Sequence, residues 1–169
     1  TKADCQSRLL DEDFDNYIPG QQVPVMSTDW EYYNCPSDNG LVSTVQSVSP
    51  SNSLHFDFGG TEKGMIKWSP ELGLALATGT IGFSFYFDPV ESNQWLYFRQ
   101  QAQDNMGNTF SICELRFAAK SGIWDYPKGY SDSSYHWFSS IASSVWHTVV
   151  LKFNHNTHSY DLYFDGVLI

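Results

Sequence analysis

The most regular alternation of apolar and polar residues lies near the end of the chain, in the stretches 144–153 and 159–169. Each stretch carries three apolar residues at every second position: Val149, Leu151 and Phe153, then Tyr160, Leu162 and Phe164. A period of two is typical of β-strands that bury one face. The pattern therefore predicts two strands joined by a polar loop.

A tight turn is expected directly after the second of these strands. Asp165-Gly166 is the kind of dipeptide that most readily supplies the positive backbone angles of a two-residue turn. Residues 167–169 should therefore fold back and begin a third strand.

Further alternation predicts strands through most of the chain. The clearest case places Ile81, Phe83, Phe85 and Phe87 on one face, which indicates a central core strand. Shorter strands are expected at 41–48, 53–58, 94–101 and 109–117, separated by turn residues. About ten or more strands with little helix indicate an all-β protein of two antiparallel sheets.

The final stretch resembles a known family. It matches the pattern Trp-His-x-x-x-Leu followed by Tyr-x-Leu-Tyr-x-Asp-Gly, from Trp146 to Gly166, which is similar to laminin G-like and pentraxin-like domains of the concanavalin superfamily. Residues 51–56 resemble the second hairpin of the same domains. The resemblance implies a jelly-roll β-sandwich, and we interpret residues 1–169 as one such domain.

The same resemblance implies one more strand after residue 169, beside the N-terminal strand. Either further chain supplies it, or a neighbouring subunit donates a strand and completes the sheet. The first explanation is favoured.

Composition narrows the range of partners. The chain has 169 residues, is 41% hydrophobic and 17% aromatic, and is large enough to bury a core. Nineteen Asp and Glu against nine Lys and Arg give a net charge of −10, which repels phosphate backbones. Nucleic acid is therefore an unexpected partner, and no apolar run is long enough to predict membrane insertion.

The three cysteines do not have the spacing of zinc or redox motifs. We favour a disulfide between Cys5 and Cys35, and a buried free thiol at Cys113, because that residue lies in an apolar strand pattern. Many Ser, Asn, Tyr and Trp residues with few Lys are typical of secreted β-proteins, so an extracellular or cell-surface location is expected.

Residues 9–20 are predicted to begin as a strand and to end in a Pro-Gly turn. On such a strand Asp11, Asp13 and Asp15 would share one face, and carboxylates at that spacing suit calcium. A solvated acidic edge that prevents strand aggregation explains the same pattern and is favoured over the metal.

Aromatic residues among turn residues suggest the functional surface. Residues 123–138 interleave rings with polar residues and show no clean period, and residues 26–40 read as a long loop that also carries rings. Aromatic rings stack on the apolar faces of sugars. The predicted carbohydrate-binding residues are Trp124, Tyr126, Tyr130, Tyr135, Trp137, Trp30 and Tyr32. The alternative is a loop that buries its own rings.

Motifs for catalysis are scarce. The paired carboxylates of glycosidases on this fold, such as Glu-x-Asp-x-x-Glu, do not occur in the sequence. His147 is expected to make structural hydrogen bonds at a strand start. The favoured function is a non-catalytic, lectin-like module that binds a polysaccharide or mediates adhesion. The alternatives are a structural subunit of an extracellular assembly or filament, and a polysaccharide lyase or glycosidase.

Overall fold

The structure is a computed structural model that describes residues 12–33, 40–48, 51–56, 64–67, 78–86, 95–103, 109–118, 122–126, 136–139, 141–154, 156–157 and 159–169. The helix α1 spans Val23–Met26. The strands are β1 (Trp30–Tyr33), β2 (Leu41–Ser43), β3 (Ser53–His55), β4 (Gly64–Lys67), β5 (Thr78–Tyr86), β6 (Trp95–Gln103), β7 (Thr109–Ala118), β8 (Gly122–Tyr126), β9 (His136–Ser139), β10 (Trp146–Asn154), β11 (Ser159–Phe164) and β12 (Val167–Leu168). All strand pairs are antiparallel, so the predicted all-β class is confirmed.

The chain divides into two compact units, Thr1–Leu74 and Ala75–Ile169. The first unit contains two small sheets, β1 with β4 and β2 with β3. Its single described helical turn carries Pro in the first turn, where a missing N–H costs least, and buries Val23 completely. This unit also contains a run of turns over residues 12–20.

Turns occupy residues 12–20, where the predicted strand of 9–20 was expected to continue, and residues 9–11 lie outside the described residues. Asp13 Oδ1 accepts a hydrogen bond from the backbone N–H of Asp15 at 3.0 Å. Phe14 takes a positive φ of 64°. Short-range hydrogen bonds to Asp side chains offer the backbone N–H groups an alternative to pairing in a sheet. This explains why the residue pattern did not produce a strand at this point.

In the second unit, four strands form a sheet in the order β12-β11-β10-β5. The predicted hairpin is confirmed, with Leu151 in register with Leu162. The predicted turn is confirmed as well, because Asp165 and Gly166 have φ values of 48° and 80° and lead into β12. The alternation from Ile81 to Phe87 predicted that β5 would be a central strand. In the described part of this sheet, however, β5 lies at one end of the strand order, and β10 lies between β5 and β11.

The other sheet of this unit has the order β6-β7-β8-β9, in which each strand pairs with the next in sequence. Side chains from both sheets contribute to one core. Its buried members are Phe85, Leu115, Phe117, Val149, Leu151, Leu162 and Phe164. The ring centroids of Phe85 and Phe117, which come from different sheets, lie 4.5 Å apart. A jelly-roll strand order stays a prediction.

Gly79 allows an aromatic ring to pack on the backbone of β5. It is in register with Phe153, and a Cβ added at Gly79 would lie 2.5 Å from Cζ of that ring. We expect Gly79→Ala to lower the free energy of unfolding by about 1–3 kcal/mol, because the buried ring must move. Denaturant unfolding measures this change.

Gly82→Ala is the matched control on the same strand. A Cβ at Gly82 would make only ordinary contacts, the nearest at 3.6 Å from the Val149 carbonyl oxygen. This variant should keep the wild-type stability. Equal losses in the two variants would show that strand flexibility, and not the Phe153 contact, decides the effect.

Candidate functional site

Trp124 and Trp137, two of the predicted ring positions, are opposite one another in the structure. Trp124 lies on β8 and Trp137 on β9, and the two are register partners. Segment 123–138 is therefore not one long loop, because residues at both of its ends belong to paired strands. The register shifts between Ile123 and Trp124, and such a bulge breaks a period of two, which explains why no clean alternation was visible.

Described neighbours on β7 establish which face of the sheet these positions occupy. Leu115 and Phe117 are fully buried in the core, and Arg116 between them is half-buried. Successive residues of a strand alternate between faces, so Arg116 belongs to the face away from the core. Trp124 is the register partner of Arg116 and shares that face.

The row continues onto β6. Tyr97 is in register with Arg116, whereas its neighbours Leu96 and Phe98 pack against the core. We call the four register positions Tyr97, Arg116, Trp124 and Trp137 the outer row. It crosses all four strands, and at about 4.8 Å per strand spacing it extends over about 14 Å.

A second row lies next to the outer row on the same face. It contains Arg99, Glu114 and Tyr126, which are aligned across β6, β7 and β8. Tyr126 therefore belongs to the same face of the sheet as Trp124 and Trp137. Tyr130 and Tyr135 lie outside the described residues.

Sequence reasoning did not include Tyr97 or Arg116 among the candidate binding residues. The signal was present in the alternation of 95–98, where Leu96 and Phe98 are apolar core residues and Tyr97 lies between them. Tyr97 becomes a candidate only through its alignment with Arg116 and Trp124, which lie on other strands.

Trp30 and Tyr32 belong to the first unit and lie on β1, so the prediction of a long loop over 26–40 is wrong at this point. Trp30 is half-buried. Its Nε1 donates a hydrogen bond to Glu12 Oε2 at 3.3 Å, and its ring centroid lies 5.7 Å from that of Phe14. These contacts give Trp30 a packing role within its own unit.

Asp15, one of the three acidic residues proposed for calcium, accepts hydrogen bonds within the first unit. Asp15 Oδ1 accepts hydrogen bonds from Ser51 Oγ at 3.0 Å and from the backbone N–H of Asn52 at 2.8 Å. Asn52 is buried, and its side-chain amide donates to the carbonyl oxygens of Phe14 and Tyr17. Asp15 thus links the turns around residue 15 to residues 51–52.

Calcium at Asp11, Asp13 and Asp15 stays a prediction. Asp11 lies outside the described residues, and within the described ones no three His, Cys, Asp or Glu side chains form a metal-binding group. Adding calcium after chelator treatment should raise the melting temperature, because an ion held by the folded state stabilises it by mass action. An unchanged melting curve would contradict the prediction that calcium binds to the folded protein.

His147 is buried, with 4% of its surface exposed. Its Nδ1 lies 2.8 Å from Asp165 Oδ2, and its Nε2 lies 2.8 Å from the carbonyl oxygen of Ala142. Its ring also stacks on Phe164 at 4.9 Å. Both ring nitrogens are used inside the fold, so His147 makes structural hydrogen bonds at the start of β10, as predicted.

Asp165 completes this arrangement from the turn between β11 and β12. Its Oδ1 accepts a hydrogen bond from the backbone N–H of Thr148 at 2.8 Å. Partial burial raises the pKa of Asp165, but hydrogen bonds from Thr148 and His147 outweigh it and hold the pKa below its ordinary value. The contacts of Asp165 with His147 and Thr148 anchor the turn to β10. Both ring nitrogens of His147 contact groups of the protein, so neither is positioned to take a proton from a substrate.

The predicted disulfide falls outside the described residues at both Cys5 and Cys35. The backbone of Cys113 lies on β7 in register with Gln100. Within the described ranges, no helix has the length and apolar character needed to span a bilayer.

Comparisons of the sequence with known protein families and with curated proteins find no match. The resemblance to laminin G-like domains therefore rests on the residues from Trp146 to Gly166 and on residues 51–56.

Proposed function

We propose that the chain is a non-catalytic, extracellular module that binds a polysaccharide or other glycan, of laminin G-like type. The supporting observation is the outer row, in which Trp124 and Trp137 are register partners on the face opposite to the core. Adjacent aromatic positions on one face of a rigid sheet form a platform on which sugar rings stack.

A sheet face suits this function better than a loop. The strands β6 to β9 are held by antiparallel ladders, with one register shift in the β6–β7 pair and one in the β8–β9 pair, and their inner face packs Leu115 and Phe117 into the core. Positions on such strands keep their spacing when a ligand binds, so little entropy is lost in ordering them. Neighbouring polar positions on the same face, such as Glu114, offer hydrogen bonds to sugar hydroxyls.

We expect Trp124→Ala and Trp137→Ala each to weaken binding to the preferred glycan about fivefold to tenfold, with a melting temperature close to that of the wild type. The reason is that one stacking contact of about 1 kcal/mol is lost from a position on the face away from the core. A glycan array identifies the ligand, and calorimetry on the best ligand measures the change.

Trp146→Ala is the matched control. Trp146 is half-buried at the start of β10 in the other sheet, with its ring centroid 5.8 Å from that of Tyr86. Glycan binding should persist in this variant. Unchanged affinity in both outer-row variants, or loss of folding together with binding in both, would contradict the proposal, and glycan cleavage by the wild type would favour the enzyme alternative.

A further inference from the structure

The two hydrogen-bond partners of the His147 ring are both acceptors. Nδ1 lies 2.8 Å from Oδ2 of Asp165, and Nε2 lies 2.8 Å from the carbonyl oxygen of Ala142. A backbone carbonyl oxygen accepts hydrogen bonds and donates none, and the same holds for an ionised carboxylate. The other oxygen of Asp165 accepts a hydrogen bond from the backbone N–H of Thr148 at 2.8 Å, which favours the ionised form of this carboxyl group.

A neutral imidazole cannot satisfy both contacts. It has one N–H and one nitrogen lone pair, so one of its nitrogens would direct a lone pair at the lone pairs of an oxygen atom. The imidazolium has an N–H on each nitrogen and donates to both oxygens. Its charge is paired with Asp165 at 2.8 Å, as a buried cation requires.

The faces of the ring are covered by two phenylalanine side chains from other strands. The ring centroid of Phe164 on β11 lies 4.9 Å from that of His147, and the centroid of Phe85 on β5 lies 5.5 Å from it. Among the described residues, Asp165 is the charged group that contacts the ring. Because only 4% of His147 is exposed, water does not readily replace a hydrogen bond that the ring loses.

We infer that His147 is held as the imidazolium and acts as a pH-sensitive latch, which ties residues 141–145 to the turn at residues 165–166. The protonated ring donates to Ala142 on one side and to Asp165 on the other. Loss of one proton leaves one N–H for two acceptors, so one end of the latch is released. The charge of histidine ordinarily changes between about pH 5 and 8, so the latch responds within the physiological range. This inference goes beyond the proposed glycan binding and does not depend on it.

The first test uses the sign of the pH dependence of stability. His147→Gln keeps a hydrogen-bond donor at this position but removes the titrating group. Because the folded latch binds a proton, the stability of the wild type relative to this variant should be greatest at low pH and fall as the pH rises from about 6 to about 9. We expect the ratio of the two folding equilibrium constants, measured by denaturant unfolding, to fall about tenfold, the range of one hydrogen bond to a charged group. A ratio that rises with pH or stays constant would overturn the inference, since a histidine buried in its neutral form gains stability as the pH rises.

His55→Gln is the matched control. His55 is exposed on β3 of the first unit, so its substitution should give a much smaller dependence on pH. Equal pH dependence in the two variants would show that the titration of histidines in general decides the effect, which contradicts a specific latch at His147.

The second test needs no variant to fold. Nitrogen-15 NMR of the wild-type imidazole rings counts the protons on each ring nitrogen. We expect His147 to carry an N–H on both nitrogens at about pH 6 and on one nitrogen at about pH 9. A ring with a single N–H throughout this range would overturn the inference even if His147→Gln proves too unstable to measure.

Discussion

Replacing Leu151 with alanine should lower the free energy of unfolding of the second unit by about 3–5 kcal/mol. Leu151 lies in the middle of β10 with 1% of its surface exposed, between Ile81 of β5 and Leu162 of β11. The substitution removes buried methyl groups and leaves a cavity that surrounding strands cannot close, because their positions are held by ladders on both sides. Denaturant unfolding at neutral pH measures the loss.

Leu168→Ala is the matched control for this prediction. Leu168 lies on β12 with 56% of its surface exposed, so the same truncation creates no cavity. Its effect should stay within about 0.5 kcal/mol. A small effect at Leu151 equal to that at Leu168 would mean that the core of the second unit is not packed as described.

His147→Ala should have the next largest effect, a loss of about 3 kcal/mol. The substitution leaves the carbonyl oxygen of Ala142 and the carboxylate of Asp165 without the ring that they contact at 2.8 Å. The two hydrogen bonds have a net contribution of about 0.5–1.5 kcal/mol each, and the packing of the buried ring stacked on Phe164 is lost as well. Thermal and denaturant unfolding at pH 7 test the prediction, and wild-type stability would contradict it.

The pH dependence of stability provides a separate measurement of the same contact. Hydrogen bonds from Thr148 and His147 hold the pKa of Asp165 below its ordinary value, so the folded state favours the ionised carboxylate. This contribution is complete above the pKa of the unfolded chain, about 4, and is lost as the pH falls through the lower folded value.

Asp165→Asn removes the titrating group and tolerates the positive φ at this position. The difference in stability between wild type and Asp165→Asn should shrink as the pH falls below about 4. A difference that does not vary with pH would contradict the assigned contact.

The end of the chain shows what could be read from the sequence. The alternation in β10 and β11 and the Asp165-Gly166 turn were predicted correctly, and burial in the structure follows the same alternation. Side-chain period and turn chemistry are properties of neighbouring residues, so they can be recognised without any knowledge of the partner strand.

The candidate site was recognised only in part. Aromatic content alone identified Trp124, Tyr126 and Trp137, and the structure places these positions on one face of one sheet. Tyr97 and Arg116 join them only through strand register. Register depends on which strands pair and where a bulge falls, and neither is determined by the period of a single strand.

Two features were decided by the tertiary structure alone. Asp15, which alternation assigned to a strand face, accepts a hydrogen bond from Asn52, 37 residues away, and lies in a turn. His147 was expected to have a structural role, but its partner Asp165 was assigned only to a turn. The sequence by itself determined the all-β class, the C-terminal hairpin and the aromatic composition of the site. Contacts between residues far apart in the chain decided which carboxylates serve the fold and which residues surround Arg116, because such contacts form only when the strands have paired.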